Sequence, residues 1–300
     1  MSEQPRIPQK IVNAGRNLLG LSNMGRLSSR GPALSHAEAH IRPAVAGVDD
    51  ILVIPHAAKD MDKAVASVTR ALVRLGAKES AITSLHSEPG AAESKLTNAR
   101  VIYLAGGDTY HLTANMEGLR NADGSLVDPR PGALPEPVRE QIRKKVAEGV
   151  MTMGASAGLM VMFDDVRGAH DPTSSVMKTS DGQPVVSVKG LGLISDSLNV
   201  IPHYNDPLTD EQVAELTQLH PLMEGILDQV PDMGGHIGYI LQFDPERKVL
   251  GIRDDAYFEV KGDKMTLHGT GETGAALFEA GKSKQDIQAP ADLSHLLTSK

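Results

Sequence analysis

Five short runs rich in apolar and β-favouring residues, Leu18 to Leu21, Ile51 to Pro55, Ala81 to Leu85, Val101 to Ala105 and Val150 to Met153, alternate with stretches that can form helices. The clearest helix is Asp60 to Leu75, where Met61, Ala64, Val65, Val68, Ala71, Leu72 and Leu75 recur at helical spacing and Gly76 ends the pattern. A second runs from about Pro137 to Ala147 and ends at Gly149. Alternating strands and helices predict a parallel sheet covered on both faces. Few other arrangements satisfy so many short apolar strands separated by amphipathic helices.

After Asn199 the pattern changes. A helix-like stretch from Asp210 to Leu227 is followed by the runs Tyr239 to Phe243 and Val249 to Ile252. Tyr257 to Val260 and Met265 to Leu267 then form a hairpin around Lys261-Gly262-Asp263-Lys264. Arg120 to Pro135 and Asp171 to Pro184 are turn-rich and read as surface excursions. No linker divides the chain, so residues 1–300 are expected to form a single α/β domain with a core over about 17–280, the last eighteen or so residues being a loosely held tail.

Composition narrows the chemistry. The net charge of −8, with both signs interspersed, leaves no basic stripe for a phosphate backbone, so nucleic acid is not an expected partner. With no cysteine there is no disulfide, no thiolate metal site and no cysteine nucleophile. No run approaches the ~20 apolar residues of a membrane span, and Leu18-Leu19-Gly20-Leu21 is too short for a signal-peptide core. A cytoplasmic location is expected. Aromatics are 3% of the chain and Trp is absent, so the core must be aliphatic, with methionines filling irregular gaps.

The turn Gly154-Ala155-Ser156-Ala157-Gly158 stands between the run Val150 to Met153 and the helix-compatible Leu159 to Phe163. A serine at a strand-to-helix corner is presented as a nucleophile, and glycines on both sides relieve so sharp a bend. The same pentapeptide is also consistent with a plain glycine turn, so the partners that a nucleophile needs must decide. His203, between Pro202 and Tyr204 at the end of the run Leu198 to Ile201, is the best-placed base. His36 and His40 stand four apart on a helix, which is metal-ligand spacing, but without a third ligand a solvated helix face is the preferred reading. His86, His220 and His295 lack context, whereas His111 stands just past a glycine turn and could line a pocket.

That turn is Gly106-Gly107-Asp108-Thr109, which follows a strand and offers bare amides to an oxyanion. Gly269 to Gly274 satisfies G-x-G-x-x-G, yet it follows a hairpin rather than opening a βαβ unit, so no nucleotide site is read there. Carboxylate candidates are Asp165, Asp171, Asp206, Asp254 and Asp255, of which Asp254 and Asp255 directly follow Val249 to Ile252.

In order and rough spacing, Gly106 to Thr109, Gly154 to Gly158, Pro202-His203-Tyr204 after Gly190-Leu191-Gly192, and Gly251-Ile252-Arg253-Asp254 resemble the peptidase E and cyanophycinase family of serine peptidases. The resemblance implies a three-layer αβα sandwich, similar to class I glutamine amidotransferases, with a mostly parallel flavodoxin-like sheet and here a C-terminal β-hairpin. It implies Ser156 as nucleophile, His203 as base, Asp254 as the acid where the family usually has glutamate, and Gly107 and Ala157 as oxyanion donors. Asp171 is the rival acid, and Asp108, Thr109 and Tyr204 are candidates for substrate binding. Asp108 replaces an asparagine of the family, and no arginine lies between His203 and Leu227, where aspartyl-specific members have one. The expected function is hydrolysis of short peptides without metal or organic cofactor; oligomeric state is left open. An α/β-hydrolase esterase is the alternative, although those enzymes place the acid before the histidine. A catalytically silent binding module of the same fold is a further one.

Overall fold

All five predicted runs are strands. The computed structural model describes residues 9–23, 32–117, 138–169, 177–178, 184–185, 189–204, 237–238, 240–242, 244–269 and 274–297. In chain order the elements are α1 (Gln9–Ala14), β1 (Asn17–Leu21), α2 (Glu38–Val45), β2 (Ile51–Ile54), α3 (Met61–Arg74), β3 (Ile82–Ser84), α4 (Ala92–Asn98), β4 (Val101–Leu104), α5 (Thr109–Glu117), α6 (Arg139–Ala147) and β5 (Met151–Ala155). They continue as α7 (Ala157–Met160), β6 (Met177–Lys178), β7 (Pro184–Val185), β8 (Leu198–Ile201), β9 (Lys248–Ile252), β10 (Ala256–Lys261), β11 (Lys264–Gly269), β12 (Ala275–Glu279), β13 (Gln285–Ile287) and β14 (Ala291–Asp292). The predicted helix over Asp210 to Leu227, the excursion at Arg120 to Pro135 and most of that at Asp171 to Pro184 lie outside the described residues.

The main sheet has eight strands in the order β14-β11-β10-β1-β5-β4-β2-β3. From β1 to β3 every pairing is parallel. Beyond β1, the hairpin β10–β11 and then β14 continue the sheet antiparallel. The strands alternate between two cores: Ile51 and Val53 of β2 face α2 and α3, whereas Leu52 and Ile54 face the side occupied by α4 to α7. That is the expected α/β sandwich. A second sheet, β13-β12-β9-β8, was not foreseen; it pairs β8 with β9 in parallel and carries the chain on which His203 and Asp254 lie.

Helix α3 shows why the local reading succeeded. The Asp60 side chain accepts the Lys63 N–H at 2.9 Å, capping the helix, and Met61, Val68, Ala71 and Leu72 form its buried stripe. Gly76 follows with φ +102°, the left-handed ending that glycine permits.

Two expectations fail. The C-terminal residues through 297 are not a loose tail: β14 pairs with β11, Ser294 Oγ accepts the Met265 N–H at 3.0 Å, and Leu293, Leu296 and Leu297 are buried in the main core. A polar-looking end missed this because three leucines suffice to anchor it. His36 and His40 do not form a solvated helix face either. His36 lies on a 3-10 turn and His40 on α2, and both rings meet Tyr257 edge-on, at centroid distances of 5.8 and 5.4 Å. The aromatic partner comes from β10, far away in sequence.

Replacing Leu296 by Ala should therefore lower the free energy of unfolding by about 2–5 kcal/mol in urea titration, where a loose tail would show no change. Burial holds the His36 imidazole below its ordinary value of 6.5, against the pull of Asp255 and Asp254. The unfolded chain then binds a proton near pH 6.5 that the folded chain takes up only at lower pH, so stability falls as pH drops below that value. Urea midpoints measured from about pH 7.5 to about pH 5.5 should decline, and decline less in His36→Phe.

Candidate active site

At the carboxyl end of β5 the chain turns so sharply that backbone meets backbone. A Cβ on Gly154 would lie 2.3 Å from the Gly158 carbonyl oxygen, and one on Gly158 would lie 2.1 Å from the Leu104 carbonyl oxygen of β4. Neither position tolerates a side chain, which is the physical content of the two glycines. Between them Ser156 has φ 53° and ψ −115°, a conformation that costs a non-glycine residue of order 1–3 kcal/mol. Its N–H is tied to the Leu21 carbonyl of β1 at 3.1 Å and its carbonyl accepts the Met160 N–H at 3.0 Å. Ala157 begins α7, so its N–H has no carbonyl within that helix to bond.

The base and acid candidates arrive from the second sheet. His203 follows β8, also at positive φ (57°), and Asp254 stands in the turn between β9 and β10. His203 Nε2 lies 2.9 Å from Ser156 Oγ, and His203 Nδ1 lies 2.7 Å from Asp254 Oδ1. Behind the histidine, Ser22 at the end of β1 accepts the His203 N–H at 2.8 Å and donates to the Ile252 carbonyl at 3.0 Å. One buried hydroxyl thus links the ends of β1, β8 and β9. Sequence inspection missed Ser22, although its position directly after an apolar strand was the available signal.

The glycine turn after β4 abuts the serine: a Cβ on Gly106 would come within 3.1 Å of Ser156 Cβ. Gly107 has φ +146° and lies so close to the β2–α3 loop that a Cβ would be 2.3 Å from the Ala57 carbonyl oxygen. That carbonyl also accepts the Asp108 N–H at 2.8 Å. A cleft of about 360 Å³ opens over Ser156, His203, Gly106 and Gly107, with Asn23, Asp60 and Lys63 on its walls. The last three were not singled out from sequence because their loops and helix lie more than 90 residues before Ser156.

Other predicted residues go elsewhere. Asp108 accepts the His111 N–H at 2.9 Å and so caps α5. Thr109 is buried with its hydroxyl 3.7 Å from Met160 Sδ. Tyr204 is buried against Gly251 and Phe278, its ring centroid 5.4 Å from the latter. Asp171 lies outside the described residues. His86, given no role above, ties β3 to α3, with Ser84 Oγ 2.6 Å from Nδ1 and Asp62 Oδ1 3.0 Å from Nε2.

A serine elbow at the carboxyl edge of parallel strands in an α/β sandwich is the architecture of a serine-type hydrolase. The model of Peptidase family S51 matches residues 19–125 and 136–231, so the chain belongs to that family and is a serine-type peptidase. It is 28% identical to a probable alpha-aspartyl dipeptidase of Drosophila melanogaster, over 95% of this chain and 98% of that one. It is also 28% identical to a peptidase E of Streptomyces coelicolor, over 94% and 95% of the two chains. The crystal structure of a peptidase from an acI-B1 Actinobacterium has the same fold, with TM-score 0.53 and 18% identity over 93% of this chain and 96% of that one. Among the described residues no helix is long and apolar enough to cross a membrane.

Ser22→Ala leaves the His203 N–H and the Ile252 carbonyl without their shared partner. The expected outcome is a loss of about 1–3 kcal/mol in urea unfolding together with at least a ~10-fold fall in kcat, since displacing the histidine by a fraction of an ångström degrades its alignment. An unchanged kcat in Ser22→Ala would mean that His203 is positioned by other contacts.

Proposed function

We propose that this peptidase hydrolyses short peptides, in dipeptidase or exopeptidase fashion, through an acyl-enzyme on Ser156. The reading is carried by the imidazole of His203, which lies 2.9 Å from Ser156 Oγ on one side and 2.7 Å from Asp254 Oδ1 on the other. Asp254 accepts the Nδ1–H, fixing the tautomer whose Nε2 lone pair faces the hydroxyl. As Oγ attacks the scissile carbonyl carbon, its proton passes to Nε2. The new oxyanion is met by the N–H groups of Gly107 and Ala157, and the imidazolium gives its proton to the departing amine. Water, deprotonated by the same imidazole, then releases the acyl group. No step needs a metal or an organic cofactor.

Asp254 stands where the resemblance leads one to expect glutamate, and its shorter side chain is matched by a 2.7 Å approach to Nδ1. The substrate class is supported by the cleft: about 360 Å³ suits a small molecule, and Asp60 and Lys63 offer opposite charges to a peptide that carries both an ammonium and a carboxylate. Two similar proteins are named as a peptidase E and a probable alpha-aspartyl dipeptidase. The chain between His203 and Leu227 has no arginine, so strict preference for an N-terminal aspartate is not part of the proposal. A cytoplasmic site of action fits a chain without cysteine.

Against a broad dipeptide panel, Ser156→Ala should reduce kcat by ~10⁴-fold or more and abolish labelling by a fluorophosphonate probe; undiminished hydrolysis would remove the mechanism. Asp254→Asn should cost about 10⁴-fold, whereas Asp171→Asn should be nearly neutral. The reverse pattern would hand the acid role to Asp171.

A further inference from the structure

On the opposite side of the hairpin from the second sheet, we propose a binding site for a borderline divalent transition-metal ion, zinc foremost, formed by His40, Glu259 and His268. The three side chains come from α2, β10 and β11, and one potential ligand atom of each lies within 4.8 Å of the others. Tetrahedral zinc with nitrogen and oxygen ligands at about 2.0–2.2 Å needs them about 3.3 Å apart, a closure that small side-chain rotations can supply. The pairing of Tyr257 with His268 and of Glu259 with Thr266 puts Glu259 and His268 on one face of the hairpin, towards α2. There the His40 and His268 rings approach to a centroid distance of 4.4 Å.

Two features distinguish this cluster from a chance meeting of polar groups. His268 Nε2 is shut off from solvent and has no hydrogen-bond partner, an arrangement that costs stability unless something occupies the nitrogen. The Tyr257 hydroxyl lies 3.0 Å from His40 Nδ1, so it fixes the ring and leaves Nε2 for an ion, the outer-shell role that a ligating histidine regularly uses. Two imidazoles and one carboxylate are a donor set for zinc or a similar ion, with a water in the fourth position.

Lys261 is the competitor. Its ammonium, 63% exposed, holds Glu259 Oε1 at 2.7 Å, while the Glu259 side chain itself is only 18% exposed. An ion must share that carboxylate with the lysine and tolerate its charge. Occupancy would clamp α2 onto the β10–β11 hairpin, and because the three ligands converge only in the folded chain, binding stabilises it. The cluster is separate from the Ser156 cleft, and no catalytic step passes through it.

Zinc chloride titrated calorimetrically into the full chain, with any affinity tag removed and bound metal stripped by chelator, tests the site. The expected result is saturation at one ion per chain and a raised melting temperature. Binding should be at least ~10-fold weaker in His40→Gln and in Glu259→Gln, unchanged in Ser156→Ala, and several-fold tighter in Lys261→Ala. Lys261 lies at the surface and Glu259→Gln keeps the size and shape of the side chain, so those variants keep the fold even if changes at the histidines do not, and circular dichroism checks this. Absence of saturable binding to the wild-type chain overturns the proposal, as does binding that is indifferent to both Glu259→Gln and Lys261→Ala.

Discussion

The structure turns on a close approach of backbone to backbone at two glycines. Gly158 lies against the Leu104 carbonyl and Gly154 against the Gly158 carbonyl, so that β4, β5 and α7 meet at backbone distance. Between these contacts Ser156 sits at φ 53°, the sharp strand-to-helix corner that presents a serine hydroxyl. The strain at Ser156 is local, and the cores on both faces of the sheet keep the corner from relaxing.

Ser156 and the two side chains aligned with it belong to different sheets. Ser156 rides on the parallel half of the main sheet, whereas His203 and Asp254 follow the parallel pair β8 and β9 of the second. Registration between the two comes from Ser22, whose hydroxyl joins the backbone at His203 and Ile252 to the end of β1. The hairpin β10–β11 then returns to the main sheet directly after Asp254, so that residue is anchored on both sides. The three residues between β9 and β10, Arg253 to Asp255, therefore decide how far the carboxylate stands from the imidazole.

The strands and helices of the first half were legible because their signals are local: α3 announced its cap, its stripe and its final glycine between Asp60 and Gly76. The serine corner with its glycines, His203 and Asp254 could be picked out because each follows an apolar strand. The second sheet was not, since β8 and β9 are adjacent only in space and the chain between them carries no pairing signal. The buried C-terminal leucines escaped for the same reason, as did the packing of His36 and His40 on Tyr257, more than 200 residues away.

Sequence by itself determined the fold class, the strained serine corner and the short list of groups able to serve it, because backbone geometry and apolar periodicity act over a few residues. Tertiary structure alone decided which groups meet. It joined His203 to both Ser156 and Asp254, turned Thr109 and Tyr204 into packing residues, and gathered two histidines and a glutamate at the hairpin, since those distances follow from sheet pairing across the whole chain.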